Sequence, residues 1–513
     1  MKTSLSHYSI AVFVGLMIAS FLVCPAWAGK KDDTLNIATQ RELESVDRYF
    51  NSAREGIIFA RHVYDNLLYR DPKTYEYKPL LAKSYQWVDD TTMAIELRQG
   101  VKFHNGNEMT ADDVVYTLNF AADPANKVKT QRYSNWIKEV VKEGPYKVKI
   151  LLKEPFPAAL EFLSGANPIY PKDYYTKVGP KGFGLAPIGT GPYKVTELEP
   201  GKKVILVKNE DYFKDSPKGQ PSIGKIVWRT LPETNTHVAE LMTGSLDWIW
   251  LVPQDQAERL AKMPNLTVIA AETMRVGFIM LDAADRTGEL GMDNPFKKLA
   301  VRRAVNHAIN KEAISKSLVG GNSRPVYSAC FPTQFGCTQD VMKYDYNPEK
   351  AKKLLAEAGY PNGFETTLDA YRNRPYAEAM VGDLAAVGIK AKLLMMQYSA
   401  LREKRRAGKV QFDFETWGSY SINDVSAIVS HFFEFESDDM ARDPEVRDWL
   451  LEADRSIDSE KRKMLYKKAL QRIAEQAYWV PLFTYVSNNC FSKNLDFTPY
   501  PDAIPRFFQA KWK

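Results

Sequence analysis

Hydrophobic positions change period repeatedly along this chain, and each change marks an element. Leu35–Ala38 reads as a short buried strand, and Val63 and Leu67 give Phe59–Leu68 an apolar helical face. Met93, Ile95 and Leu97 alternate with polar residues, the period of a strand. Thr110 then caps a helix that carries Asp112 and Asp113 in its first turn and Val114, Val115 and Leu118 on its apolar face. Strands are expected over 193–198, 204–207 and 226–231. A helix with Val238, Leu241 and Met242 inward follows, stopped by Gly244, and Asp247 opens a further strand. Residues 297–318 carry one helical stripe. Asn347, Pro348 and Gly359 bracket another helix as cap, first residue and terminator. The rest predicts helices over 376–387, 401–406 and 459–476, strands over 389–395 and 412–417, and an apolar run from Trp479 to Tyr485. Strand and helix signals alternate without an internal repeat, the pattern of a mixed α/β chain.

The N-terminus differs from the rest. Ile10 to Val23 is apolar but short for a bilayer, and Ala26, Trp27 and Ala28 precede Gly29, so residues 1–28 read as a secretory signal. Val23 and Pro25 beside Cys24 do not suit lipid attachment. No later run approaches membrane length, and a soluble exported protein is expected. The 513 residues, 45% hydrophobic and 26% charged, leave room for two or three domains. A net charge of +6 without a long basic run gives no reason to expect nucleic acid as a partner. In an oxidising compartment Cys330 and Cys337 are expected to close a small loop, and Cys490 to be a buried thiol.

Catalytic signatures are missing from the sequence. The six histidines are scattered, with no metal-binding spacing and no nucleophile elbow. Gly189-Thr190-Gly191-Pro192-Tyr193 leads into a strand, which excludes a phosphate loop and suggests a tight turn at a domain crossing. A binder without cofactor or metal is the simpler expectation, with a secreted hydrolase as the outside alternative. Three loops carry binding chemistry. Tyr371 to Tyr376 follows a strand and precedes a helix; Pro375 disfavours the α conformation at Arg374, whose guanidinium suits a carboxylate. Arg54 and Glu55 lie in a polar connection, residues 51–56, between apolar elements. Trp417 to Tyr420 puts rings and hydroxyls after a strand. The cluster Arg402, Lys404, Arg405, Arg406 reads as a solvated helix face.

Four stretches carry a family resemblance. They are Leu97 through Gly106 with Thr110 to Val115; Pro187 to Tyr193; Val301 to Asn306 with Asn310 to Ile314; and Tyr344 to Ala351 with Gly359 to Pro361. In this order they resemble the extracellular solute-binding proteins of the peptide and nickel class, family 5, which feed ABC importers. The resemblance implies a two-lobed periplasmic binding protein fold of type II with an extra subdomain, a hinge of two crossing strands, and a monomer that docks onto a membrane permease. It implies lobe 1 from 29–62, 187–281 and 481–513, with a subdomain inserted over 63–186, and lobe 2 over 282–480. Arg374-Pro375-Tyr376 resembles the Arg-Pro-Tyr of dipeptide binders, where the arginine holds the peptide carboxylate. Three residues after Trp417, where those binders place an aspartate for the amino group, this chain has Tyr420; Asp424 or Glu55 is the candidate replacement. The expected ligand is a carboxylate-bearing peptide or peptide-like solute, with a nickel or other metal chelate as the alternative. The expected contacts are Arg374, Trp417, Tyr420, Tyr376, Arg54 and Glu55.

Overall fold

The computed structural model describes residues 29–513 apart from positions 44 and 52, so the expected signal segment lies outside the described residues. Its spine is a ten-stranded sheet in the order Ile389–Met395, Phe364–Ala370, Phe412–Trp417, Leu266–Leu281, Trp479–Ser492, Trp248–Ile249, Thr34–Thr39, Lys225–Thr230, Lys203–Lys208 and Tyr193–Glu199. The two middle strands are long, 16 and 14 residues. At about 3.3 Å per residue each spans roughly 45–50 Å, enough to serve two separate bodies. They pair antiparallel from Leu266 opposite Ser492 to Met280 opposite Trp479.

The apolar faces sort themselves to either side of this crossing. One body has a core around Ile37, Tyr64, Trp228 and Phe507, with a smaller cluster around Leu241 and Ile249. The other is built on Phe278, Phe432 and Tyr466 and on Val305, Leu355 and Met380. A four-stranded antiparallel sheet, Ala82–Asp89, Thr92–Leu97, Lys147–Leu152 and Ile137–Gly144, closes a further core with the helix Ala111–Ala122. The chain is thus a two-lobed α/β protein hinged on two crossing strands. No helix among the described residues is long and apolar enough to cross a membrane.

Local chemistry accounts for most element boundaries. Thr110 and Asp113 exchange a capping box, the threonine hydroxyl accepting from Asp112 N–H and the Asp113 carboxylate from Thr110 N–H. Asn347 caps Pro348–Glu357 by accepting the Lys350 N–H at 3.0 Å. The glycines at 189 and 191 are required by close approach: a Cβ on Gly189 would stand 2.0 Å from the Val63 carbonyl oxygen, and one on Gly191 2.5 Å from the Val63 carbonyl carbon.

Four expectations are corrected. The helix expected over 59–68 is Arg54–Val63, so Arg54 and Glu55 open a helix; Asn51 turns the chain into it by accepting the Ala53 N–H at 2.8 Å. The stripe over 297–318 is broken into Leu299–Ala308 and Lys311–Ile314, because Asn310 caps a new helix by accepting from Ala313. The run expected to end at Tyr485 continues to Ser492 as a strand buried on both faces. Arg405 is buried and not solvated: it meets Asp413 at 3.0 Å, Glu415 at 2.9 Å and Asp438 at 3.4 Å. Asp413 and Glu415 sit two apart on the strand Phe412–Trp417 and share one face, which gives a single inward arginine two carboxylates.

The expected disulfide between Cys330 and Cys337 is formed, and Cys490 is a buried free thiol whose pKa burial pushes up to about 12.

Candidate functional site

Where the long strands cross, their register breaks. Glu272 pairs with Val486 and Val276 with Thr484, so Thr273, Met274 and Arg275 stand opposite Tyr485. Such a bulge bends the strand and re-aims its side chains. Two of the freed groups are held at once: Met274 N–H donates to Pro501 O at 2.7 Å, and the Thr273 hydroxyl to Tyr485 O at 3.0 Å. Arg275 is turned into a cavity of about 350 Å³ between the lobes, where its Nη1 donates to the Thr416 hydroxyl at 2.8 Å.

Three more arginines line this cavity: Arg41, Arg54 and Arg372. Arg54 donates to the carbonyls of Ala503 at 3.0 Å and Asp502 at 3.2 Å. Arg372 lies over the ring of Tyr485, 5.7 Å from its centre, and donates to Asn373. Arg41, Arg54, Arg275 and Arg372 form no ion pair with a carboxylate among the described residues. Burial, and then Arg275, pulls the Arg54 guanidinium down to about 10. Burial and then Arg372 pull Arg275 down as well. The neighbouring guanidiniums therefore repel one another across the cavity.

Two acids share the walls, with different fates. Asp502 is engaged by Arg506 at 2.6 Å and Arg70 at 3.3 Å. Burial pushes its carboxyl up, but Arg506, Arg70 and Arg61 outweigh that and hold it well below the usual range. Glu55 is only 5% exposed, forms no ion pair among the described residues, and its Oε2 meets no donor among them. Burial raises its pKa. Trp250 and Tyr485 supply the aromatic surface of the walls.

The six residues expected at the site divide. Arg54 and Glu55 line the cavity; Arg374, Trp417 and Tyr376 do not. Asn373 adopts the left-handed conformation with φ 51°, and the helix Arg374–Ala385 begins at once. That turn leaves Arg374 58% exposed beside Glu378, at 3.4 Å and off the cavity wall, whereas Arg372, also exposed, lines the cavity. Pro375, expected to keep Arg374 out of the α region, instead occupies the first helical turn, where a missing N–H costs nothing. Trp417 stacks on His431 with ring centres 4.6 Å apart and donates its indole N–H to Ala427 O. Tyr376 packs edge-on against Phe483. The side chain of Tyr420 lies outside the described residues; its neighbours Gly418 and Ser421 line the cavity. Asp424 is engaged by Arg462 at 2.8 Å, away from the cavity walls. Sequence reasoning missed Arg275, Arg372 and Arg41. For Arg372 the signal was present, since it lies in the same loop as Arg374. No group of three metal-ligating side chains occurs among the described residues.

Comparison with known proteins agrees with this architecture. The glutathione-binding protein GsiB of Escherichia coli strain K12 is 30% identical over 507 residues, covering 95% of each chain. HbpA2 from Haemophilus parasuis superposes with a TM-score of 0.83 at 25% identity, covering 94% of this chain and 100% of that one. The periplasmic binding protein DppA from Helicobacter pylori, solved with the peptide STSA, gives a TM-score of 0.75 at 26% identity over 93% and 98% of the two chains. These relatives are substrate-binding proteins, which sets the hydrolase alternative aside. The family model described as bacterial extracellular solute-binding proteins, family 5 Middle, matches residues 76–438. The protein therefore belongs to the bacterial extracellular solute-binding proteins, family 5.

Proposed function

We propose that this protein captures an anionic, peptide-like solute bearing more than one carboxylate between its lobes and delivers it to the permease of an ABC importer. The observation that carries this reading is the set of four guanidiniums, Arg41, Arg54, Arg275 and Arg372, around one cavity without a carboxylate partner among the described residues. Arg41 and Arg372 are exposed at the mouth of the cavity, whereas Arg54 and Arg275 are partly buried and desolvated, a cost that a polycarboxylate offsets through charge-assisted, bidentate hydrogen bonds. A cavity of about 350 Å³ suits a small peptide.

Glutathione, the ligand named for the GsiB relative, has the matching charge pattern: two carboxylates for the arginines and one ammonium for Glu55. In this reading lobe 1 comprises residues 29–281 and 481–513, with the subdomain over 63–186, and lobe 2 residues 282–480. The protein acts as a monomer in the periplasm after loss of residues 1–28. Ligand binding favours the closed arrangement because only that form brings Arg41 and Arg54 together with Arg372.

Native mass spectrometry of the protein purified from its own compartment tests the proposal. A retained solute with two or more carboxylates is the expected result. Retention of a neutral or cationic solute rejects it.

A further inference from the structure

The short segment after Trp417 joins the lobes more closely than any ligand contact requires. Ser421, in the second lobe, donates from its hydroxyl to Asp502 O at 2.7 Å, and its carbonyl accepts from Arg70 Nη2 at 3.2 Å. Asn423 N–H donates to Glu161 Oε2 at 3.0 Å. Glu161 is itself bound by Arg70 at 2.6 Å, so the acceptor is fixed before the segment arrives. Between these two residues Ile422 lays its side chain against the core of the four-stranded subdomain, in a recess walled by Tyr133, Phe162, Ala166 and Ile504.

The other edge of the same segment is held from behind by the disulfide loop. Gln334 Nε2 donates to Ile422 O at 3.0 Å and Asp424 O at 3.4 Å. Phe335 N–H donates to Asn423 O at 3.1 Å, and Val425 N–H returns a bond to Phe335 O at 3.0 Å. Cys330 and Cys337 close the loop that carries both residues. Ser419 and Ser421 sit at φ 47° and 63°, a left-handed conformation that side chains other than glycine adopt rarely and keep only where surrounding bonds enforce it.

We propose that residues 418–424 form the latch that holds the lobes closed, with Ile422 as its apolar anchor and the Cys330–Cys337 loop as its backing. Ser421 and Asn423 are positioning residues: Ser421 also receives Arg54 Nη1 at 3.4 Å, so latch and anion site close together. The inference rests on the binding reading for its ligand, but the latch itself is a property of the closed form. It separates two roles that a binding assay alone merges. Residues of the anion site decide which solute is preferred; latch residues set how long any solute is held.

The test needs one readout that does not depend on ligand. Glu154 and Arg455 face each other across the lobes at 3.4 Å, both exposed. In a Glu154→Cys, Arg455→Cys parent, the rate at which a short bis-maleimide bridges the two thiols reports the closed population. Adding Ile422→Ala is expected to slow bridging at least fivefold. It is also expected to speed glutathione dissociation at least tenfold, while the affinity ratio of glutathione to its glycine methyl ester stays constant. Gln334→Ala, which leaves the anchor in place, is expected to move both rates in the same direction by a smaller factor and serves if the Ile422 variant does not fold. Bridging at the parent's rate in the variants overturns the latch. If the parent itself fails to bind glutathione, that ligand assignment fails, and the bridging rates still decide the latch.

Discussion

Replacing Arg275 with glutamine tests the anion site with two opposed readouts. Arg275 donates from Nη1 to the Thr416 hydroxyl and carbonyl, at 2.8 and 3.2 Å. Losing these bonds costs about 1–3 kcal/mol at the usual net value per hydrogen bond. Against that loss stands the removal of a partly buried positive charge near Arg54 and Arg372; burial first, and then a neighbouring guanidinium, already lowers the Arg54 and Arg275 pKa values. The two effects oppose each other, so the Tm of the empty protein should move by no more than about 3 °C. Binding has no such compensation. A charge-assisted bond to a ligand carboxylate contributes about 1.5–3 kcal/mol, and its loss weakens affinity by about ten- to a hundredfold. Isothermal titration with glutathione measures the second quantity and differential scanning calorimetry the first. Unchanged affinity, or a Tm drop that accounts for lost binding through unfolding, would refute the role given to Arg275.

Other outcomes follow from single contacts. Arg374→Ala removes an exposed i,i+4 pair with Glu378, so ligand affinity should stay within about twofold and Tm should barely change; a tenfold loss by titration would return Arg374 to the site. Asp502→Asn leaves Arg506 and Arg70 buried without their shared carboxylate, and should cost about 3–5 kcal/mol in urea unfolding. Gly189→Ala places a methyl 2.0 Å from a backbone oxygen and should destabilise by about 1–3 kcal/mol or more in the same assay. Burial, and then the Asp454 charge, raises the Glu434 carboxyl pKa to about 8, and burial together with the Asp424 charge raises that of Asp454 to about 6. A raised folded pKa gives stability that is full below the unfolded value of about 4 and lost as pH rises through the folded value. Glu434→Gln should therefore raise Tm relative to wild type at pH 8.5 and show no gain at pH 4; the same difference at both pH values would contradict the assignment.

The hydrophobic periods carried much of the architecture because caps and stripes are local. Thr110 with Asp113, and Asn347 with Pro348, need only a few consecutive residues to act, and both helices start where their caps lie. The anion site was less legible because non-local pairing makes it. Arg275 stands in the middle of a 16-residue strand, and nothing nearby marks the bulge, which depends on pairing with a strand some 200 residues later. Arg405 looked like one more charge on a basic helix until Asp413 and Glu415 came to face it from the next strand. Arg372 and Arg374 differ by two positions, and the left-handed Asn373 between them separates the cavity-lining Arg372 from Arg374, which opens the next helix. The latch was hidden for a related reason: Ile422 is an isolated apolar residue in a polar turn, and its recess belongs to the other lobe.

The central claim is that several ligand carboxylates are recognised by guanidiniums that have no carboxylate partner of their own among the described residues. Titration of the ligand-stripped protein with glutathione, its glycine monomethyl ester and its dimethyl ester measures this directly. The account expects affinity to fall about tenfold or more at each masked carboxylate, and the drop to shrink as salt is raised. A dimethyl ester that binds as tightly as free glutathione would contradict it.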